Sequence, residues 1–295
     1  MTAGTAGPVI VWGNCQAEPL ADLLRAPLGR HGYDVLSVPP VYLLDAPTLA
    51  HVRDVMTRAA VLITQPVSDD YHLPGCGTAS ISALLPPQAR VITFGVAHHT
   101  GAFPYQSNAH GGDGARVLAP VTDYHDLRAV IAAERGMTVA EAAAWWPQPA
   151  AGTVQRAASV ATTELARRES TLDIRIGAEL LQPGALWTMT HPSNALLVRI
   201  AQEVLALLEI VETVEAPQRE YLGQRRAPIE PAVAAALGWP SSAVRERWVV
   251  DGQPRELEDV LEQQLATYAA RPDIVTDTLQ RQSIRLRQLG LTAAS

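Results

Sequence analysis

One cysteine stands at a position that could make it a nucleophile. Residues 9–12 (Val-Ile-Val-Trp) predict a short buried strand, and a helical pattern begins at Gln16, with Leu20 and Leu24 on one face. Cys15 therefore lies between a strand and a helix N-terminus. Unpaired amides and the positive end of the helix dipole at such a place favour a thiolate and can hold an oxyanion. The alternative role for a lone cysteine is that of a small buried hydrophobe.

The neighbours of Cys15 suit the chemistry of an oxyanion. Gly13 ends the strand with backbone freedom that other residues lack. Asn14 and Gln16 carry side-chain amides that can donate to an oxyanion. Gln65 follows another predicted strand and could line the same cleft, although a turn fixed by Pro66 is the alternative. These four polar and glycine positions are predicted to bind the oxyanion or the substrate.

A cysteine nucleophile needs a base, and His191 is the best placed of the eight histidines. It follows a predicted strand at 186–190, so we expect it at the same sheet edge as Cys15. It resembles the histidine of SGNH-type hydrolases, in which an aspartate three residues earlier orients the ring. That position is Thr188 here, so the third member of a triad stays unassigned. Asn194 is predicted to lie in the site but is too close in sequence for an orienting role.

Four short stretches together resemble a known family. They are Gly-Asn-Cys-Gln at 13–16, Thr-Gln-Pro at 64–66, an aromatic and histidine-rich loop from Phe94 to Tyr105, and Thr-His-Pro-Ser-Asn at 190–194. In this order they are similar to the WcbI-type family of polysaccharide-biosynthesis acetyltransferases, over about residues 8–210. The resemblance implies an enzyme that binds coenzyme A or acyl-coenzyme A and acetylates a hydroxyl of a carbohydrate, a small-molecule acceptor.

The long loop from Gly95 to Gly114 carries further candidates. Loops of this length in a compact domain tend to be functional. His98, His99 and Tyr105 are predicted to contact substrate or, through the resemblance, pantetheine; loop polar groups are the alternative. Adjacent histidines rarely ligate one ion together and no carboxylate completes a familiar spacing, so no metal is expected.

Coenzyme A would bring phosphates, which arginine forks bind well. The sequence does not choose among the candidate arginines, and solvated helix charges are the alternative for each. They are Arg156, Arg167, Arg168, Arg225 and Arg226. A dinucleotide or triphosphate cofactor is disfavoured because the chain has neither a Gly-x-Gly-x-x-Gly fingerprint nor a Walker sequence.

Composition excludes several classes of function. The net charge of −7 argues against a nucleic-acid partner. All 23 cationic residues are arginine, which rules out Schiff-base chemistry on a lysine. Residues 1–8 lack the features of a secretion signal, and no apolar run reaches the length of a membrane span. With two cysteines, Cys15 and Cys76, the expected compartment is the reduced cytoplasm, and Cys76 is expected to be structural.

The alternation of strand and helix patterns predicts an α/β fold. Strands at about 8–12, 33–38, 60–64, 90–94 and 186–190 should form one mainly parallel sheet. Residues 1–210 are predicted as the catalytic domain, with a helical insertion at about 121–182 made of helices at 123–135, 138–146 and 153–181. Residues 211–295 are predicted as a helical C-terminal appendage, with helices at about 256–269 and 273–289, which would suit a homodimer contact.

Three functions follow from these residues. The leading hypothesis is acyl transfer from coenzyme A to a hydroxyl or amine of a small polar acceptor by a Cys15–His191 pair. An SGNH-like esterase or thioesterase with a cysteine nucleophile would use the same machinery with water as acceptor. A non-enzymatic binding protein on the same fold, with an inert cysteine, is the third.

Overall fold

The computed structural model describes residues 7–291, and a four-stranded parallel sheet organises its N-terminal part. The strands are β1 (Gly7–Trp12), β2 (Tyr33–Leu36), β3 (Val61–Thr64) and β4 (Arg90–Thr93), in the order β2-β1-β3-β4. The β-branched and apolar runs explain the two central strands: every residue of β3 is buried, as are the last four of β1. The predicted α/β class is confirmed.

The order of the strands creates a topological switch point between β1 and β3. From β1 the chain crosses to β2 on one side, and it later returns to β3 on the other side. The register pairs Trp12 with Thr64 and Thr64 with Thr93, so the carboxyl ends of these strands are level. Ligands of open α/β sheets bind outside the carboxyl ends of the strands at such a point.

Helices flank this sheet. They are α1 (Ala17–Gly29), α2 (Ala46–Met56) and α3 (Thr78–Ser82). Ile10, Trp12 and Leu62 pack in one apolar cluster with the buried face of α2. Asp45 begins α2, since its carboxylate accepts a hydrogen bond from Thr48 N at 2.8 Å.

The rest of the chain contains short strands and more helices. The strands are β5 (Gln106–Ser107), β6 (Ala109–His110), β7 (Arg116–Val117), β8 (His125–Asp126), β9 (Leu186–Thr188), β10 (His191–Pro192), β11 (Arg225–Arg226), β12 (Trp248–Val250) and β13 (Gln253–Arg255). The helices are α4 (Leu127–Glu134), α5 (Val139–Trp145), α6 (Ala151–Glu169), α7 (Asn194–Leu207), α8 (Pro231–Ala236), α9 (Leu257–Ala270), α10 (Pro272–Arg281) and α11 (Ser283–Gln288). Two 3₁₀ turns lie at Val41–Leu43 and Ser241–Ala243.

The prediction that residues 186–190 form a fifth strand of this sheet is wrong. Residues 186–188 form a two-stranded sheet with β10, because the chain turns back within two residues and leaves no length for a parallel partner. Beside the end of β4 lies Ile174 instead, in an isolated parallel bridge with Phe94. Gly95 N donates to the Ile174 carbonyl at 3.1 Å and extends this contact.

The helix predicted at 153–181 ends at Glu169, twelve residues early. The Glu169 carboxylate is buried and accepts hydrogen bonds from Ile176 N at 3.0 Å and Gly177 N at 2.9 Å. These bonds hold a loop that returns over the helix end. A buried carboxylate satisfied by backbone amides stabilises this stop more than the apolar spacing favours continuation.

The chain divides into two compact units, and the domain boundaries proposed from the sequence stay a prediction. The first unit runs up to His98 and includes Glu164–Leu186 and Thr190–Leu222. The second consists of His99–Thr163, Trp187–Met189 and the chain from Gly223 onward. Helices α4 and α5 share one apolar cluster with α9 and α10 in the second unit, around Tyr268 and Ile274.

In the range 7–291, none of the helices is both long and apolar enough to traverse a bilayer. The expectation about a secretion signal concerns residues 1–8, of which residues 1–6 lie outside the described residues.

Candidate active site

Cys15 lies half-buried in the turn between β1 and α1. Asn14 shapes this turn: its Oδ1 accepts a hydrogen bond from Gln16 N at 2.9 Å, and its carbonyl accepts one from Ala17 N at 3.0 Å. The Asn14 Nδ2 group has no protein acceptor within the described residues. The amide donor predicted for an oxyanion is therefore available on Asn14.

Gln16 is fully buried and uses all of its side-chain hydrogen-bonding capacity within the protein. Its Nε2 donates to the carbonyls of Ala97 at 3.0 Å and Thr190 at 2.9 Å. Its Oε1 accepts from Ala97 N at 3.1 Å and Gln65 Nε2 at 2.9 Å. No amide hydrogen of Gln16 remains for an oxyanion, so this geometry favours a positioning role over the predicted donor role.

Gln65 supports the same turn from the end of β3. Its Oε1 accepts from Asn14 N at 2.9 Å, and its Nε2 donates to Gln16. The Gln65 side chain lies so close to Gly13 that a Cβ atom there would collide with its carboxamide. Gly13 is thus required by close packing, and Gln65, which is 1% exposed, positions the turn as a buried side chain.

The Gln16 carboxamide also brings the His191 segment to this edge of the sheet. Thr190, which it binds, directly precedes His191, and Ala97 follows β4 by a few residues. His191 itself is half-buried and opens the short strand β10. The side chain of Gln16, which follows Cys15, therefore binds Thr190, which precedes His191, at the switch point of the sheet. Sequence reasoning could not find the part that Ala97 and Thr190 play, because their backbone groups make these contacts.

Asn194 begins α7 and holds a neighbouring loop of the first unit. Its Nδ2 donates to the Arg219 carbonyl at 2.7 Å, and its Oδ1 accepts from Tyr221 N at 3.0 Å. Its backbone N–H donates to the Glu220 carboxylate at 2.8 Å. The side chain is buried and occupied by these bonds, which favours a positioning role.

The three candidates of the long loop are placed differently from one another. His98 is half-buried at the end of the stretch that follows β4. His99 is buried, and both of its ring nitrogens are engaged: Nδ1 accepts from Gly101 N at 3.0 Å, and Nε2 lies 3.1 Å from Thr162 Oγ1. This pattern fits the loop-stabilising alternative.

Tyr105 lines a cavity of about 360 Å³ in the second unit. The Arg128 guanidinium lies in this wall between two rings, 4.0 Å from the centre of Tyr105 and 4.2 Å from that of Trp146. Asp126 and Glu230 pair with Arg128 at 2.8 and 2.6 Å. Burial raises the pKa of Tyr105 to about 12. Sequence reasoning missed this cluster because its members are far apart in the chain.

Cys76, the second cysteine, differs from Cys15 in its burial. Cys76 is fully buried, with its Sγ donating to the Tyr71 carbonyl at 2.6 Å, which fits the structural role expected for it. Across residues 7–291, no three His, Cys, Asp or Glu side chains are grouped in a way that could hold a metal ion.

Comparison with known proteins gives the family. A family profile described as the polysaccharide biosynthesis enzyme WcbI matches residues 8–213, more than two thirds of the chain. The chain belongs to the WcbI family. The WcbI-type resemblance of the sequence motifs is thereby confirmed, and no curated protein matches the chain.

A solved structure shares the fold of this WcbI family member. It is a structure of WcbI, a protein described as a novel polysaccharide biosynthesis enzyme. That structure is of the native protein without a disulfide bond between coenzyme A and one of its cysteines. The TM-score is 0.78 at 17% sequence identity, with 96% of this chain and 99% of that chain covered. At this identity the likeness shows a common fold.

Proposed function

We propose that this chain is a coenzyme A-dependent acyltransferase that acylates a hydroxyl or amine of a small polar acceptor, with a carbohydrate as the favoured class. The observation that carries the proposal is the Gln16 carboxamide, which ties the Cys15 turn to the segment of His191 at 2.9 Å from Thr190 O. Family membership supports the carbohydrate, since the family is described as one of polysaccharide biosynthesis enzymes.

Cys15 is the cysteine that fits coenzyme A chemistry. The related WcbI structure is described with reference to a disulfide between coenzyme A and a cysteine. This chain has two cysteines, and Cys76 is fully buried among apolar residues. Cys15 is half-buried beside the N-terminus of α1, where the helix dipole favours the thiolate. The residues around it therefore fit a thioester.

In the proposed mechanism His191 takes the Cys15 proton, and the Cys15 thiolate attacks the acyl carbonyl. Acyl-coenzyme A supplies the activated thioester. Asn14 Nδ2 and the positive end of the α1 dipole stabilise the oxyanion, which is usually a large catalytic contribution. The acyl group passes to Cys15, and His191 returns its proton to the departing thiol. His191 then takes the proton of the acceptor hydroxyl as that oxygen attacks acyl-Cys15, and the thiol of Cys15 is regenerated.

A double-mutant cycle on turnover tests the pair. Cys15→Ala and His191→Ala should each lower kcat by about 10²- to 10⁴-fold, and the double variant should be hardly worse than either. The reason is that a thiol with an ordinary pKa of about 8.5 is mostly protonated at pH 7 and needs the imidazole. His51→Ala, an exposed histidine on α2, is the matched control and should keep full activity.

Two results would contradict the proposal. Strictly additive losses would show that Cys15 and His191 do not act as one unit. An active Cys15→Ala enzyme would remove the nucleophile. Carrying out the assay with and without a sugar acceptor distinguishes transfer from hydrolysis, because an esterase or thioesterase would release the acyl group at the same rate in both.

A further inference from the structure

Two arginines of the second unit share the ring of Trp187. The Arg226 Cζ atom lies 4.3 Å from the centre of this ring and the Arg245 Cζ atom 5.4 Å. Each is fixed through its Nε, which donates to a backbone carbonyl: Gly223 for Arg226 and Ala227 for Arg245. Both side chains are half-buried and held in place by these bonds. Their terminal Nη atoms take no part in them.

The charges of this arginine pair lack a counterion in the part of the chain that the structure describes. Within residues 7–291, no carboxylate forms an ion pair with either guanidinium. Arg225, the next residue along the chain, shows the usual arrangement, with Asp123 at 2.9 Å and Asp251 at 3.2 Å. The Nη2 atom of Arg245 is buried without an acceptor. Burial and the neighbouring charge of Arg226 lower the pKa of Arg245 to about 10.

An uncompensated pair of like charges is costly to hold half-buried on one ring, and the cost is relieved when an anion binds. Guanidinium groups present planar forks that match phosphate oxygens two at a time, and two forks supply two charges for a dianion. The remaining candidate arginines are engaged otherwise: Arg167 and Arg168 pair with Glu164, and Arg156 bonds Thr153.

We infer that Arg226 and Arg245 form a binding site for the phosphate group of a phosphorylated ligand. This site stands on its own charges and does not rest on Cys15 chemistry. Two kinds of ligand would carry such a phosphate: coenzyme A, the acyl donor of the proposed function, and a carbohydrate acceptor that is linked to a nucleotide. The inference therefore names the phosphate, and the experiment separates the sources.

Calorimetric titration of the full chain with coenzyme A, dephospho-coenzyme A and uridine diphosphate tests the inference. Arg226→Gln and Arg245→Gln should each weaken at least one of these ligands by about tenfold or more, since each removes a charge-assisted fork. Arg287→Gln, an exposed arginine on α11, is the matched control and should bind as the parent does. Thermal unfolding of each variant checks that the fold is kept.

The outcomes assign the source. A loss confined to coenzyme A points to its 3′-phosphate, a loss shared with dephospho-coenzyme A to its pyrophosphate, and a loss confined to uridine diphosphate to a nucleotide sugar. Unchanged affinity of all three ligands in both folded variants, or no binding by the parent, would overturn the inference. Cys15→Ala should keep the phosphate affinity, so failure of this site and failure of the proposed catalysis are distinguishable.

Discussion

Arg128 and Arg245 both place a guanidinium against aromatic rings of the second unit, but the protein treats their charges in opposite ways. Arg128 is 5% exposed and receives two carboxylates, Asp126 and Glu230. Arg245 receives none among the described residues and faces the like charge of Arg226. In our proposal the saturated cluster around Arg128 stabilises the fold, while the unsaturated charges of Arg245 and Arg226 bind a phosphate.

In the first unit, the side-chain amides of Gln16 and Asn14 differ in the same way. The Gln16 carboxamide is saturated by Ala97, Thr190 and Gln65. Asn14, two residues earlier, has its Oδ1 engaged while its Nδ2 is available. The same rule therefore assigns Gln16 to positioning and Asn14 to the proposed oxyanion contact.

The largest effect is expected from Gln16→Leu. This change removes the hydrogen bonds that Gln16 makes with the Ala97 amide and carbonyl, the Thr190 carbonyl and Gln65 Nε2. At about 1–3 kcal/mol for each unsatisfied buried group, with some relaxation, the free energy of unfolding should fall by about 4–6 kcal/mol. Urea denaturation measures it. Gln155→Leu on α6 removes one exposed hydrogen bond and serves as the control, with a change below about 0.5 kcal/mol.

The coenzyme A affinity of the Gln16→Leu variant should also be measured, at a temperature where the variant is folded. A variant as stable as the parent would contradict the assignment of Gln16 as a saturated positioning residue.

The second prediction compares the two arginines directly. Arg128→Met should lower the free energy of unfolding by about 3–5 kcal/mol, because the half-buried carboxylates of Asp126 and Glu230 would lose their buried partner. Arg245→Met should change it by less than about 1 kcal/mol or raise it, since the substitution removes an uncompensated charge. Both are measured by urea denaturation in buffer free of phosphate. Equal losses in the two variants would remove the distinction.

The sequence predicted local features and missed those that depend on distant partners. The buried runs of β1 and β3 were predicted within about one residue. The role of Gln16 was not foreseen because its partners Ala97 and Thr190 are 81 and 174 positions away. The same holds for Arg245, since the lack of a counterion is a property of the fold.

The strand predicted at 186–190 also shows that local sequence does not determine which strands pair. Its apolar residues have strand character, and β9 does form there. Whether such a segment joins the sheet depends on what else lies beside β4, and the Ile174 segment occupies that place. The Gln16 carboxamide nevertheless ties the residue before His191 to the sheet edge, by a contact that strand patterns do not reveal.

The smallest effect is expected where a carboxylate is saturated but exposed. Arg167 and Arg168 both donate to Glu164 on the surface of α6, at 2.8 and 2.7 Å. These hydrogen bonds lower the pKa of Glu164 from its ordinary 4.5 to about 2. A carboxyl whose pKa is lower in the folded state adds stability above its unfolded pKa, and this stability is lost as the pH falls from about 4.5 towards 2. Solvent and salt screen an exposed pair, so the contribution is small.

Glu164→Gln removes this titration. The melting temperature of the parent should therefore fall slightly more than that of the variant between pH 5 and pH 2.5, as thermal unfolding followed by circular dichroism would measure. The difference should shrink in about 1 M salt, where the Debye length is about 3 Å. A Glu164→Gln effect as large as that of Arg128→Met would mean that saturation alone, without burial, sets the value of a polar cluster. The contrast between Arg128 and Arg245 would then need another explanation, because burial is what makes an unpaired charge expensive.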